Sequence, residues 1–262
     1  MSGDKDDEGW VPPARIEDLF GATSGNQWAS INSPTAGARD LENPTPAPSC
    51  DKPLRLFNLG TPNGRKPLIV LEELSLEYNH FFINIGSGEQ FYKYFTDVNP
   101  NSKIPALVDM EGPGGSSINL FESANIGKYL CEKHGGRFWF GDKPEAEQSR
   151  LRAEGMNWIF FQMANQGPIT GQFGHFFVYA PQDAHAARTY GTSRYGMEVL
   201  RICDVMEKHL AGKAKPDASS WFTGEEYSLV DMILYPWFYQ LRNGYPHKSG
   251  MTAGVFLGIE DK

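Results

Sequence analysis

The chain is short of basic charge, of cysteine and of long apolar runs. Twenty-four lysines and arginines stand against 32 acidic residues, a formal charge of −8. Without clustered basic residues, broad binding to nucleic acid or to anionic membranes is not expected. The three cysteines, Cys50, Cys131 and Cys203, are odd in number and widely spaced. They indicate neither a disulfide framework nor a zinc site, and a reducing compartment fits them. No apolar stretch reaches the length of a bilayer span, and Met1-Ser2-Gly3-Asp4-Lys5-Asp6 lacks the basic-then-apolar order of a secretory signal. The expectation is a cytoplasmic protein. What is present, 262 residues with 40 % hydrophobic content, is enough for one large domain or two modest ones.

Residues 1–50 are rich in Pro, Gly, Ser, Asn and Asp without sustained periodicity, which predicts an extended tail. Trp10 and Trp28 are candidate anchors, although composition alone favours a loosely attached arm. From Pro53 the signals alternate: a strand over 54–59, a helix near 66–76 and a strand over 78–85, which is a βαβ unit. A short helix over 91–96 follows, then a loop through Val98-Asn99-Pro100-Asn101-Ser102-Lys103-Ile104-Pro105. Runs 106–110 and 117–121 read as a hairpin around Gly112-Pro113-Gly114-Gly115. Pro105 opens a strand without costing it an N–H, and a cis bond there would bend the loop toward a ligand. Ser123 is a natural N-cap for a helix ending near Gly135-Gly136. Beyond the linker at 141–144 the pattern is helical: 145–163, with a break at Gly167-Pro168. A long helix follows, carrying Val199, Ile202, Cys203, Met206 and Leu210 on one face up to about Gly212. Ser228-Leu229-Val230-Asp231 is close to a capping box, and Pro236 is expected to kink or end that helix. Met156, Trp158 and Met163 read most simply as core.

Gly60-Thr61-Pro62-Asn63-Gly64 lies between the first strand and the first helix. At such a junction unpaired N–H groups and the helix dipole converge on one spot, which stabilises an anion placed there. Thr61 brings a hydroxyl and Asn63 an amide, and neither is a nucleophile. Pro-Asn-Gly is also ordinary turn chemistry, and from five residues alone the turn is the simpler reading.

Several segments together resemble the soluble glutathione transferases, the nu class in particular: Leu59-Gly60-Thr61-Pro62-Asn63-Gly64, Asn99-Pro100-Asn101-Ser102-Lys103-Ile104-Pro105, Phe121-Glu122-Ser123, Met156-Asn157-Trp158, Gly167-Pro168-Ile169-Thr170-Gly171-Gln172 and Tyr179-Ala180-Pro181. That class includes bacterial glutathione-dependent disulfide-bond oxidoreductases and the globular part of a prion-forming nitrogen regulator. The resemblance implies an α/β thioredoxin-like N-terminal domain (βαβαββα) over 51–139 and an all-α C-terminal domain over 140–262. It also implies further closing helices that the sequence ending Phe256-Leu257-Gly258-Ile259-Glu260-Asp261-Lys262 does not contain. Apolar surface left uncovered, or reliance on a dimer partner, is therefore expected.

The implied activity is reduction of small disulfides, and of organic hydroperoxides, by glutathione as co-substrate, with weak conjugation to electrophiles and no metal. A non-catalytic glutathione-binding regulatory module is the alternative. No cysteine stands where thioredoxins place Cys-x-x-Cys, so the reacting sulfur would be glutathione's, ionised with help from Thr61 and Asn63. The resemblance further implies that Ile104, ahead of a cis Pro105, pairs with the cysteinyl backbone. Ser123 would hold the γ-glutamyl carboxylate and Glu122 its ammonium, with Gln90 and Lys103 at the glycine end and Asn32 closing over the site. Gln162 and Arg194 would come from the helical domain, Arg194 toward a second glutathione or the outer half of glutathione disulfide. A homodimer is implied as well.

Overall fold

The computed structural model describes residues 13–15, 42, 50–213, 220–247 and 249–259; Trp10, Trp28 and Asn32 lie outside the described residues. In β1 (Leu54–Asn58) the side chains alternate, as strand geometry requires. Leu54 and Leu56 join one core cluster and Phe57 another, on the opposite face of the sheet. The strand pairs in parallel with β2 (Tyr78–Phe82) and antiparallel with β3 (Ala106–Asp109), and β3 pairs antiparallel with β4 (Ile118–Phe121), giving the order β2-β1-β3-β4. Leu56 stands opposite Leu107, and Leu107 opposite Leu120. The hairpin is as the sequence predicts, while the second strand stops at Phe82, three residues early.

Helices α1 (Pro62–Glu73) and α3 (Ser123–Lys133) cover one face of the sheet. The short α2 (Lys93–Thr96) places Phe95 against Phe57, Phe81 and Val108 on the other. The first helix begins at residue 62 rather than 66. Pro62 suits a first helical position, where its missing N–H costs nothing, and Thr61 supplies the cap.

From Glu145 the chain is helical. It does not break at Gly167-Pro168. Instead α4 (Glu145–Phe161) runs through a π turn at Gln162–Gln166 into α5 (Gly167–Gly174) and a second π turn at His175–Tyr179. The N–H of Gly167 reaches back to the carbonyl of Gln162. That five-residue register lets the helical path continue past Pro168, which has no N–H to give. Next come α6 (His185–Lys213), α7 (Leu229–Asn243) and the short α8 (Ala253–Leu257). Ser228 and Asp231 form the expected capping box, but Pro236 does not end α7. The residues either side of it, Ile233, Leu234, Trp237 and Leu241, are buried, and that burial outweighs a proline's cost of about 3 kcal/mol in a helix. Leu229 and Ile233 join the same cluster as Val70 and Ile126, so α7 is bound to the sheet's helices through one continuous core. Cys203 sits at the margin of a second cluster around Phe173 and Trp237. Among the described residues no helix is long and apolar enough to cross a membrane, and no group of His, Cys, Asp and Glu side chains could hold a metal ion.

Candidate functional site

Two helix starts and one bent loop meet at the C-terminal edge of β1. Thr61, in extended backbone, caps α1 by accepting from the N–H of Gly64 at 3.2 Å. Gly64 tolerates no side chain, because a Cβ there would lie 1.9 Å from the carbonyl oxygen of Leu59. That close approach lets the strand turn straight into the helix and sets Asn63 at its mouth. The second start is α3. Ser123 is its first residue, not its cap; the capping position is Glu122, at φ 69° and ψ 112°, with no side-chain capping bond. A non-glycine residue in that region is held against its preference by its surroundings. Between the two, the Ile104–Pro105 peptide bond is cis. Asn99 shapes the loop before it, accepting from the N–H of Asn101 at 2.9 Å and donating to the carbonyl of Lys103 at 2.6 Å.

Asn63, Lys103, Ile104, Pro105, Glu122 and Ser123 line a cleft of about 200 Å³, completed by Asn99 and Asn101. Six of the residues that the sequence nominates are thus brought together. Others are not. Thr61 spends a lone pair on the cap and lies beside the cleft rather than among the residues lining it. Gln90 is buried and donates to the carbonyl of Ile85 at 3.5 Å. Arg194 is paired on α6 with Glu198 at 3.2 Å and is half exposed. Gln162 is buried and faces Lys66. Asn32 falls outside the described residues.

Two residues that sequence reasoning passed over stand behind the cleft. The ammonium of Lys66, wholly buried, donates to Ser123 Oγ at 3.2 Å, Gln162 Oε1 at 2.5 Å and Met163 Sδ at 3.5 Å. Burial pushes its pKa down to about 7, an effect that the nearby Glu122 carboxylate partly offsets. The other is Trp237 on α7, whose Nε1 donates to Asn63 Oδ1 at 2.8 Å. Neither carries a local signal, since a lysine or tryptophan in an amphipathic helix reads as surface or core.

The cleft therefore offers donors at its two ends. At one stand the side-chain amide of Asn63 and its backbone N–H, which is left open in the first turn of α1 because Pro62 has none and that of Gly64 is taken by Thr61. At the other, the Ser123 hydroxyl, which accepts from Lys66 and donates only to the weak acceptor Met163 Sδ at 3.8 Å, stands beside the carboxylate of Glu122 and the open first turn of α3. The backbone of Ile104 lies between. This suits an extended molecule with an anionic head, a peptide-like middle and a soft anion, and no cysteine lines the cleft.

Residues 61–133 match the model of the glutathione S-transferase N-terminal domain, and residues 189–257 that of the C-terminal domain. The disulfide-bond oxidoreductase YghU of Escherichia coli strain K12 is 39 % identical over 256 residues, covering 95 % of this chain and 81 % of the relative. The chain belongs to the glutathione S-transferase family. Among solved structures, the glutathione transferase YghU from Streptococcus pneumoniae, complexed with glutathione, is 35 % identical with a TM-score of 0.77, over 95 % of this chain and 88 % of that one. A family member from Pseudomonas fluorescens with two glutathione molecules bound is 34 % identical with a TM-score of 0.68, over 80 % and 83 % of the two chains. This glutathione S-transferase thus has the thioredoxin-like sheet followed by helices that its sequence implies.

Proposed function

We propose that the chain is a glutathione-dependent disulfide-bond reductase that holds glutathione in this cleft as its reactive thiolate. Residues 51–139 act as the glutathione-binding domain and 140–262 as the helical one. The observation that carries the reading is the cleft itself: a thiolate-ready helix start at Asn63, a carboxylate-ready one at Ser123, and no protein thiol between them. Support comes from related proteins named as disulfide-bond oxidoreductases or crystallised with glutathione.

A free thiol of this kind has a pKa near 8.5, so only a few per cent is ionised at neutral pH. The Asn63 amide, the Thr61 hydroxyl hydrogen and the α1 dipole together are worth about one to two units of depression. The thiolate attacks one sulfur of a small disulfide; the S–S bond breaks, a mixed disulfide with glutathione forms, and the departing thiolate takes a proton. A second glutathione thiolate attacks the mixed disulfide at glutathione's sulfur, releasing the second thiol and leaving glutathione disulfide. Organic hydroperoxides are reduced by the same two glutathione equivalents, to alcohol and water. Lys103 serves the glycine carboxylate, Ile104 the cysteinyl backbone, and Ser123 with Glu122 the γ-glutamyl group. The protein works as a nu-class homodimer in the cytoplasm, where its three free cysteines stay reduced.

The test is turnover of hydroxyethyl disulfide with glutathione. A rate well above the uncatalysed one, lost in the Thr61→Ala, Asn63→Ala double variant, is the expected result. Glutathione-dependent thermal stabilisation without turnover would instead make the protein a binding module.

A further inference from the structure

Trp237 follows Asn63 by 174 positions and belongs to α7, yet its indole nitrogen meets the Asn63 side chain at 2.8 Å. An indole N–H can only donate, so the atom it meets is the amide oxygen, however the amide is drawn. The two N–H bonds of Asn63 then leave from the other edge of the amide. A half-buried asparagine without such a partner has two orientations that differ by a half-turn about its last torsion. One offers N–H bonds to an anion and the other offers an oxygen that repels it.

The indole is itself fixed. Trp237 is 8 % exposed and lies against Gly167 and Gly171, one turn apart on α5. A Cβ on Gly167 would stand 3.3 Å from Nε1, and one on Gly171 3.4 Å from the ring. Two residues further along each helix, the Arg65 guanidinium lies over the Tyr239 ring at 4.7 Å, a second contact that ties α1 to α7 beside the Asn63 bond.

We propose that Trp237 is a positioning residue. Its N–H locks the Asn63 amide with the N–H edge toward the sulfur of bound glutathione, so that the helical half of the molecule sets the donor that ionises the thiol. This rests on the reading that glutathione binds with its sulfur at Asn63.

The experiment is a pH titration of glutathione bound to the full chain, followed by ultraviolet thiolate absorbance, in wild type, Asn63→Ala and Trp237→Phe. Affinity for S-methylglutathione, which has no thiol to ionise, is measured alongside. In Trp237→Phe the bound thiol pKa should rise by about half a unit to one unit, a three- to tenfold fall in its ionisation constant. S-methylglutathione affinity should stay within about twofold, because it does not call on the sulfur's donor. A thiol pKa equal to wild type in Trp237→Phe, while Asn63→Ala raises it, overturns the inference and leaves the site reading standing. An affinity for S-methylglutathione that falls as far as the thiolate does marks the ring as packing only and also overturns it. If Asn63→Ala leaves the pKa unmoved, the site reading fails and the inference with it. Should Trp237→Phe not yield folded protein, replacing Trp237 with β-(3-benzothienyl)alanine, which keeps the fused ring and lacks the N–H, removes the donor alone, and the same two readouts decide.

Discussion

The buried ammonium of Lys66 donates to the hydroxyl of Ser123, 57 positions away, at 3.2 Å. The lysine takes a lone pair of that oxygen, and the hydroxyl hydrogen turns to Met163 Sδ at 3.8 Å, a weak acceptor that a carboxylate in the cleft would displace. The arrangement has a cost. A lysine in water titrates near 10.4, whereas burial brings Lys66 down to about 7.

Between those two values the unfolded chain carries a proton that the folded chain does not. This group therefore makes stability rise with pH, by up to about 1.4 kcal/mol per unit, and below the folded value its full penalty is present. Replacing Lys66 with Met removes the effect. The unfolding free energy of Lys66→Met minus that of wild type should fall as pH is raised from about 7 to 10. Urea melts at several pH values measure it. A difference independent of pH would mean that Lys66 keeps an ordinary pKa.

Asp109, at the end of β3, is buried and accepts from Tyr129 Oη at 2.7 Å, Lys133 Nζ at 2.5 Å and the N–H of Glu111 at 2.8 Å. Burial alone would raise its pKa, but these three bonds and the lysine charge hold it below the usual carboxylate range. Its contribution to stability is therefore present above about pH 4 and is lost as the carboxylate takes up a proton. Lys133→Met should cost about 2–3 kcal/mol at neutral pH and move acid unfolding to higher pH, because one charge of a largely buried pair is left alone. Acid melts of the two proteins, overlaid, make the comparison.

Gly60 and Gly64 flank the same turn and differ sharply in room. A Cβ on Gly64 would lie 1.9 Å from a backbone oxygen, whereas one on Gly60 would meet nothing within 4 Å. Gly64→Ala should cost more than about 3 kcal/mol, or fail to fold, and Gly60→Ala should stay within about 1 kcal/mol of wild type. Chemical denaturation of the pair tests the geometry of the turn apart from any ligand.

Legibility from sequence followed the range of the interactions. The individual strands, the Gly-rich hairpin and the Ser228–Asp231 cap rest on alternation and turn chemistry within short segments and could be read directly. Boundaries failed where one motif suits two local structures or where a stop signal is overridden. Thr61-Pro62-Asn63-Gly64 has the chemistry of a turn and also that of a capped first helical turn, and only its packing against Leu59 and Asn58 decides. Gly167-Pro168 and Pro236 have the form of helix stops, yet a π turn and a buried helix flank carry the chain through them. Within the site, the residues that line the cleft belong to short motifs, whereas the two that govern their polarity do not. Lys66 finds Gln162 across 96 positions and Trp237 finds Asn63 across 174, and no local pattern encodes either.

The central claim is that the thiol of bound glutathione lies at Asn63. A crystal of the full chain grown with glutathione tests this most directly. The account predicts the sulfur within hydrogen-bonding distance of Asn63 Nδ2, the cysteinyl backbone paired with Ile104 and the γ-glutamyl carboxylate on Ser123. Glutathione bound with its sulfur away from the start of α1, or no glutathione in the cleft at all, would contradict it.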